Sequence, residues 1–362
     1  MTETLISDAV NAGSMYSINR KTTGEYVLQA DPKMAAEKGN FSHNPFHIFM
    51  IFFTVLSYAA SCTFNALSVR SGPVSNVFFE RNDTFRQNYI KYKLDINPAF
   101  YAFRIWWLIY FWQAVWLLYA VVSICRKGPD GYMYVKPTLV PFVTYFLFPF
   151  SNLCTIAWLL LIDRDARELS MIPLPLSTFA LYVILWFSHR HLAETSQYLV
   201  GMGSCKDVWM VKVFFQNGLA IYATWSSIAN LLSFANVLAY GPTIGVVSPE
   251  VSGSISLGIL AAEVLIYFIL DIFVFDKHLR HLFIVYPVVI WAVTGILVNN
   301  WDITKRNCVI GLVLLTVAVL MFLFKIGVII LHYRRKKHFR KSLDMNKRYK
   351  DAVPEPAKDT QF

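Results

Sequence analysis

Eight apolar runs of bilayer-crossing length constrain this 362-residue chain more than any other feature of its sequence. They cover about His47–Ser68, Phe100–Ile124, Leu139–Ile162, Ile172–Ser188, Val213–Ala239, Leu257–Phe275, Leu282–Val298 and Val309–Leu331. Hydrocarbon offers no partner to a backbone N–H or C=O. A segment crossing about 30 Å of it must close its own hydrogen bonds, which an α-helix of roughly 17–25 residues does. The sequence therefore predicts an all-α, multi-pass integral membrane protein with about eight transmembrane helices. Composition excludes an ordinary soluble domain, since only 15% of the residues are charged against about 25% in such domains. The formal net charge of +10 points to membrane lipids as the partner rather than nucleic acid, because the basic residues cluster between and after the apolar runs.

Residues 1–46 are polar and precede the first run, which is expected to act as an uncleaved anchor. An even number of crossings puts both termini on one side. Lys and Arg are retained in the cytosol, and in this arrangement 22 of them fall on the face shared by the termini against 9 on the other. Both termini are thus expected in the cytosol. The tripeptide Asn82-Asp83-Thr84 then faces the exoplasmic side and is a glycosylation candidate, whereas Asn40-Phe41-Ser42 would be cytosolic and unused. Five cysteines, at 62, 125, 154, 205 and 308, show no metal or redox spacing.

The second run carries the most specific pattern. After Pro98, which suits a helix start, come Trp106, Tyr110 and Ala114 at i, i+4 and i+8, on one side of the helix, with Trp107 beside them. The third run holds Asn152, Thr155 and Trp158, and the fifth holds Tyr222, Trp225, Ala229 and Leu232. Over residues 47–240 the chain resembles the tryptophan-rich sensory protein/translocator protein family. That family's second helix reads proline, aromatic, Trp, then Tyr four residues on, and its fifth reads Tyr-x-x-Trp-x-x-x-Ala-x-x-Leu. It departs where Thr155 stands for Asn, Ile221 for Pro and Ser233 for Asn. It is also similar to eight-span animal membrane proteins that share this Trp-rich first half. The resemblance implies a five-helix bundle over 47–240, extended by three helices over 241–332 and a basic tail over 333–362. It also implies a pocket for a flat hydrophobic ligand, a tetrapyrrole or a sterol, lined by Trp106, Trp107, Tyr110, Trp158, Tyr222 and Trp225. Alternatively, Trp106, Trp107, Trp112 and Trp116 form an interfacial aromatic belt around the second run.

Polar groups inside the runs each call for a partner, because an unpaired one costs several kcal/mol in hydrocarbon. Arg104, Asn152, Glu263, Asp271 and Lys325 are the candidates. Arg104 is placed to snorkel. A Glu263–Lys325 pair would join the sixth and eighth runs, while Glu263 with Asp271 would instead suit a proton- or ion-coupled transporter. Beyond the fourth and sixth runs lie His189, His191, His278 and His281, with Glu194 and Asp276, a set that would suit a metal-dependent lipid enzyme. Against catalysis, the chain has no phosphate-cradling glycine loop, no nucleophile elbow and no nucleic-acid module. No cofactor or bound metal is implied. Nine basic residues between Arg334 and Lys350 read as a stop signal that also attracts anionic lipid. The residues beyond, with Pro354 and Pro356, are expected to be unstructured. The favoured reading is binding, with or without passage, of a hydrophobic small molecule, by a monomer or a homo-oligomer.

Overall fold

A computed structural model describes residues 16–20, 26–30, 42–69, 89–128, 131–136, 138–201, 205–245, 247–275 and 279–352. The glycosylation candidate Asn82, the loop residues Asp276 and His278 and the tail with Pro354 and Pro356 lie outside the described residues, and the polar N-terminal segment contributes a short hairpin, β1 (Tyr16–Arg20) antiparallel to β2 (Tyr26–Ala30). Each apolar run forms a helix: α1 (Pro45–Val69), α2 (Ile105–Cys125, entered through a 3-10 turn at Phe100–Arg104), α3 (Thr144–Asp163) and α4 (Pro173–Gly201). The second half follows as α5 (Asn217–Tyr240), α6 (Pro249–Ile269), α7 (Val285–Asn299) and α8 (Arg306–Ala352). α8 carries straight on through the basic stretch of the tail.

Among the described residues, six helices are long and apolar enough to cross a membrane: α1, α2, α3, α4, α6 and α8. The other two runs differ from that expectation for separate reasons. α7 is apolar but has only 15 residues, a rise of about 22 Å. α5 has 24 residues and packs against α2, α4, α6 and α7. Ten consecutive residues, Asn217 to Ser226, are buried in it, nearly three turns with no face left for lipid. A helix clad in protein need not be apolar: α5 carries Asn217, Thr224, Ser226 and Asn230, and the amides of Asn217 and Asn230 donate to the His281 carbonyl and Thr178 Oγ1 at 3.1 and 2.8 Å.

Local chemistry places the ends. Ser248 caps α6, its Oγ accepting the Val251 N–H at 3.3 Å, and Pro249 opens the first turn. The Pro98 turn before α2 lies against α7, where the Ala99 N–H donates to the Gly295 carbonyl at 2.9 Å. A side chain at 295 would stand 2.8 Å from the Ala102 Cβ, so glycine is what permits this approach. Two segments widen into π-helical turns, Val211–Gln216 before α5 and Leu270–Val274 after α6. Such turns insert a residue and re-aim side chains; here Gln216 and Asp271 are both fully buried.

Candidate functional site

Four of the six aromatic residues expected to line a pocket come together. Trp106 stacks on Tyr110 with ring centroids 5.7 Å apart and meets Tyr222 edge-on at 5.9 Å, while Trp225 meets Phe103 at 5.9 Å. Tyr222 and Trp225 are buried in the core. The Tyr222 hydroxyl lies 2.9 Å from Thr155 Oγ1, which lies 3.2 Å from Ser177 Oγ, itself 2.7 Å from Ser151 Oγ. Thr155, where the resembled family carries Asn, is thus the link from α3 to both Tyr222 on α5 and Ser177 on α4. Asn152 donates to Ser57 Oγ at 3.2 Å and ties α3 to α1. Trp107 does not join the cluster: it is 79% exposed on the outer face of α2. Trp158 stands apart with Leu159 and Leu174. It lines a small cavity of about 120 Å³ together with Phe103, Arg167 and Asn236, where the Trp158 Nε1 and Asn236 Oδ1 find no hydrogen-bond partner among the described residues.

A much larger cavity, about 680 Å³, opens on the opposite side of α5. On α5 it meets Ala220, Ala223, Thr224 and Ser227. These small residues recur at i, i+3, i+4 and i+7 and so share one helix face, and their size leaves the space open. α4 supplies Tyr182, Leu185, Trp186 and His189; α6 supplies Leu260, Glu263, Val264 and Tyr267; Val285 and Val289 of α7 close the end. Tyr182 and Trp186 remain 49% and 57% exposed, which marks an open side between α4 and α6. The polar groups inside are few. The Tyr182 hydroxyl and Ser227 Oγ lie 2.7 Å apart, the Tyr267 hydroxyl is buried without a partner among the described residues, and the Glu263 carboxyl faces the cavity. Of these only Glu263 was singled out from sequence. The small-residue stripe on the fifth run was the signal that could have found the rest.

The intramembrane ion pair is not the one expected. Lys325 of α8 bonds Asp271 Oδ1 at 2.5 Å rather than Glu263, and also the Leu279 carbonyl at 3.3 Å. Tyr286 donates its hydroxyl to Asp271 Oδ2 at 3.0 Å. Asp271 and Lys325 are both fully buried. The π-helical turn is the physical reason: it carries Asp271 inward toward α7 and α8, while Glu263, two turns earlier, faces the cavity. Arg104 is exposed at the end of the 3-10 turn.

The histidines are held one by one. His191 Nε2 bonds the Thr138 carbonyl at 2.5 Å, and His281 Nε2 bonds Gln216 Oε1, whose own amide donates to Ser188 Oγ at 3.0 Å. His189 and His281 have ring centroids 5.6 Å apart. In the connection between α6 and α7, burial, aided by the nearby His189, Lys212 and Lys325, pushes His281 down to about 3. Among the described residues no group of three or more His, Cys, Asp or Glu is placed to hold a metal.

Comparison with known proteins adds one match. A family model described as TSPO-like protein matches residues 50–330, running past the Trp-rich half and through α6, α7 and most of the apolar part of α8. No curated protein and no solved structure is significantly similar.

Proposed function

The chain belongs to the TSPO-like protein family, and from that premise we propose that it binds a hydrophobic small molecule inside the bilayer, in the cavity between α4, α5, α6 and α7. The observation that carries this reading is the cavity itself. Its 680 Å³ and its mostly apolar walls fall within the roughly 300–1,000 Å³ of sites that enclose a small molecule. The ligand class, sterol or tetrapyrrole, follows from the family resemblance. Access is lateral, through the open side by Tyr182 and Trp186, so that the ligand arrives from lipid. On this reading Trp106, Tyr110, Tyr222 and Trp225 back the cavity rather than line it: Tyr222 and Trp225 project from the face of α5 opposite Ala223 and Thr224, and their contacts with α2 and α3 hold that helix in place. Both termini face the cytosol, a reading supported by the Lys and Arg bias of the sequence and tested by reporter tags at each end.

The test uses purified full-length protein in lipid nanodiscs, titrated with a fluorescent sterol and with a porphyrin. Energy transfer from tryptophan, Trp186 above all, is expected to saturate with at least one of them. Ala223→Phe, which fills the cavity, is expected to abolish the saturable signal, and Trp107→Phe, on the outer face, to leave it. Absence of saturable binding of either ligand refutes the proposal.

A further inference from the structure

The cavity is lined by an acid, Glu263, that has no counter-ion among the described residues. Glu263 is the fifteenth residue of the 21-residue helix α6, roughly 21 Å along it at about 1.5 Å per residue, well inside the bilayer. A carboxylate at that depth costs a few kcal/mol even by the mildest scales, and such groups ordinarily find a partner within the bundle. The cations that meet α6 and the turn after it are engaged elsewhere: Lys325 is bound to Asp271, and Arg306 to Glu250 and Ser254 near the start of α6. Arg190, at the cytosolic end of the cavity, is bound to Glu194 at 3.4 Å. Among the described residues Glu263 makes neither a hydrogen bond nor an ion pair, and its side chain faces the open cavity.

What surrounds Glu263 has one chemical character. Tyr267 follows one turn later on the same face of α6, its hydroxyl buried and without a partner. Tyr182 and Trp186 stand across from it on α4. A carboxyl group that lines one cavity with three aromatic side chains offers what an organic ammonium is recognised by, an acid to pair with and aromatic rings for cation–π attraction. Leu185, Ile228, Leu260 and Val264 supply the apolar walls for the body of such a molecule.

We propose that the cavity is a binding site for a cationic amphiphile, a lipophilic amine whose ammonium pairs with Glu263 between Tyr267, Tyr182 and Trp186. The proposal rests on the reading that this cavity takes a small molecule, and it names the head group that the cavity selects. A free carboxylate here favours the cation over a neutral hydroxyl and repels an acid carried to the same depth. Sterol-sized ligands remain compatible with the volume, so an amine and an alcohol on one skeleton separate the two claims.

The experiment compares 3β-aminocholestene with cholesterol, each as a radiolabelled ligand, on the full-length protein in nanodiscs of uncharged lipid. The wild type is expected to bind the amine at least about tenfold more tightly than the sterol, a difference of about 1.4 kcal/mol. Glu263→Gln is expected to erase that preference by weakening the amine alone, with sterol affinity retained as the sign of an intact cavity. If Glu263→Gln loses both ligands, Tyr267→Phe decides: it keeps the ring, removes the hydroxyl, and should weaken the amine several-fold while sparing the sterol. Equal affinity for the two ligands in the wild type, or an amine preference that survives both substitutions, overturns the proposal while leaving cavity binding in place. Saturable binding of neither ligand overturns this proposal, and the porphyrin titration described above then decides separately whether the cavity takes a small molecule at all.

Discussion

Replacing Lys325 with Met tests whether α6 and α8 are held together by charge. In the wild type the ammonium bonds Asp271 Oδ1 at 2.5 Å and the Leu279 carbonyl at 3.3 Å, and Asp271 Oδ2 accepts the Tyr286 hydroxyl at 3.0 Å. Neither charged side chain reaches solvent. Met matches the stem of Lys closely enough to keep its contacts, so the substitution chiefly strands the Asp271 carboxylate with its hydrogen bonds but no counter-charge. Breaking one partner of a buried pair costs about 3–5 kcal/mol, most of it the penalty of the charge left behind rather than the net worth of the pair. The single variant should therefore lose about that much stability. The double variant Asp271→Asn/Lys325→Met, which removes both charges and keeps an acceptor for Tyr286, should recover to within about 1–2 kcal/mol of the wild type. Reversible unfolding in mixed micelles, followed by tryptophan fluorescence across an SDS titration, reads both. A Lys325→Met protein within about 0.5 kcal/mol of the wild type, or a double variant no more stable than the single, refutes the reasoning.

Other consequences are open to similar measurement. Thr155→Val takes away the hydroxyl that links Tyr222 and Ser177; Ser177 keeps Ser151 Oγ at 2.7 Å, so the loss should cost about 0.5–1.5 kcal/mol in the same unfolding assay. Gly218→Ala would bring a Cβ to 2.9 Å from Trp112 Cδ1 and should lower stability by about 1–3 kcal/mol through overpacking between α2 and α5. Because His281 is pushed from the ordinary 6.5 down to about 3 in the folded protein, the unfolded chain binds a proton first. Stability should be full above pH 6.5 and decline between pH 6.5 and 3, by up to about 1.4 kcal/mol per pH unit. His281→Asn should flatten that slope.

Most of the helical framework was legible from run length alone, because lipid allows a crossing segment little else. The pairing of charges was not. Glu263 and Asp271 lie eight residues apart on one helix, and regular helical geometry gave no means of choosing which would meet Lys325. The choice is made by the π-helical turn at Leu270–Val274, a departure from regular helix that the apolar pattern does not announce. The aromatic residues were legible as a cluster, since Trp106 and Tyr110 share a helix face. Their role was harder to read, because the same spacing serves a ligand pocket and a packed wall. What separates the two is the size of the residues opposite, and Ala220, Ala223, Thr224 and Ser227 place the vacant space on the far side of α5.

Apolarity in this chain reports what covers a helix more faithfully than whether it crosses. α8 and α6, the two most apolar spans, are also the least buried, 17% and 22% over their apolar windows, whereas α3 is 56% buried. Between lipid and an aliphatic side chain there is no hydrophobic difference to drive association, so helices in a bilayer are joined by close approach of small residues and by polar contacts. That logic explains why the hydroxyl ladder lies among α3, α4 and α5 and why the buried ion pair lies between α6 and α8. It also accounts for the gap. α4 is drawn to α3 through Ser177, and α6 to α8 through Asp271. α4 is tied to α5 by the exposed Tyr182–Ser227 contact and by Asn230, whose Nδ2 donates to Thr178 Oγ1 at 2.8 Å, whereas among the described residues no hydrogen bond draws α6 toward α4. The cavity is therefore a place where the bundle's polar fasteners pull its walls apart, and closing it would require moving α6 against the Asp271–Lys325 pair.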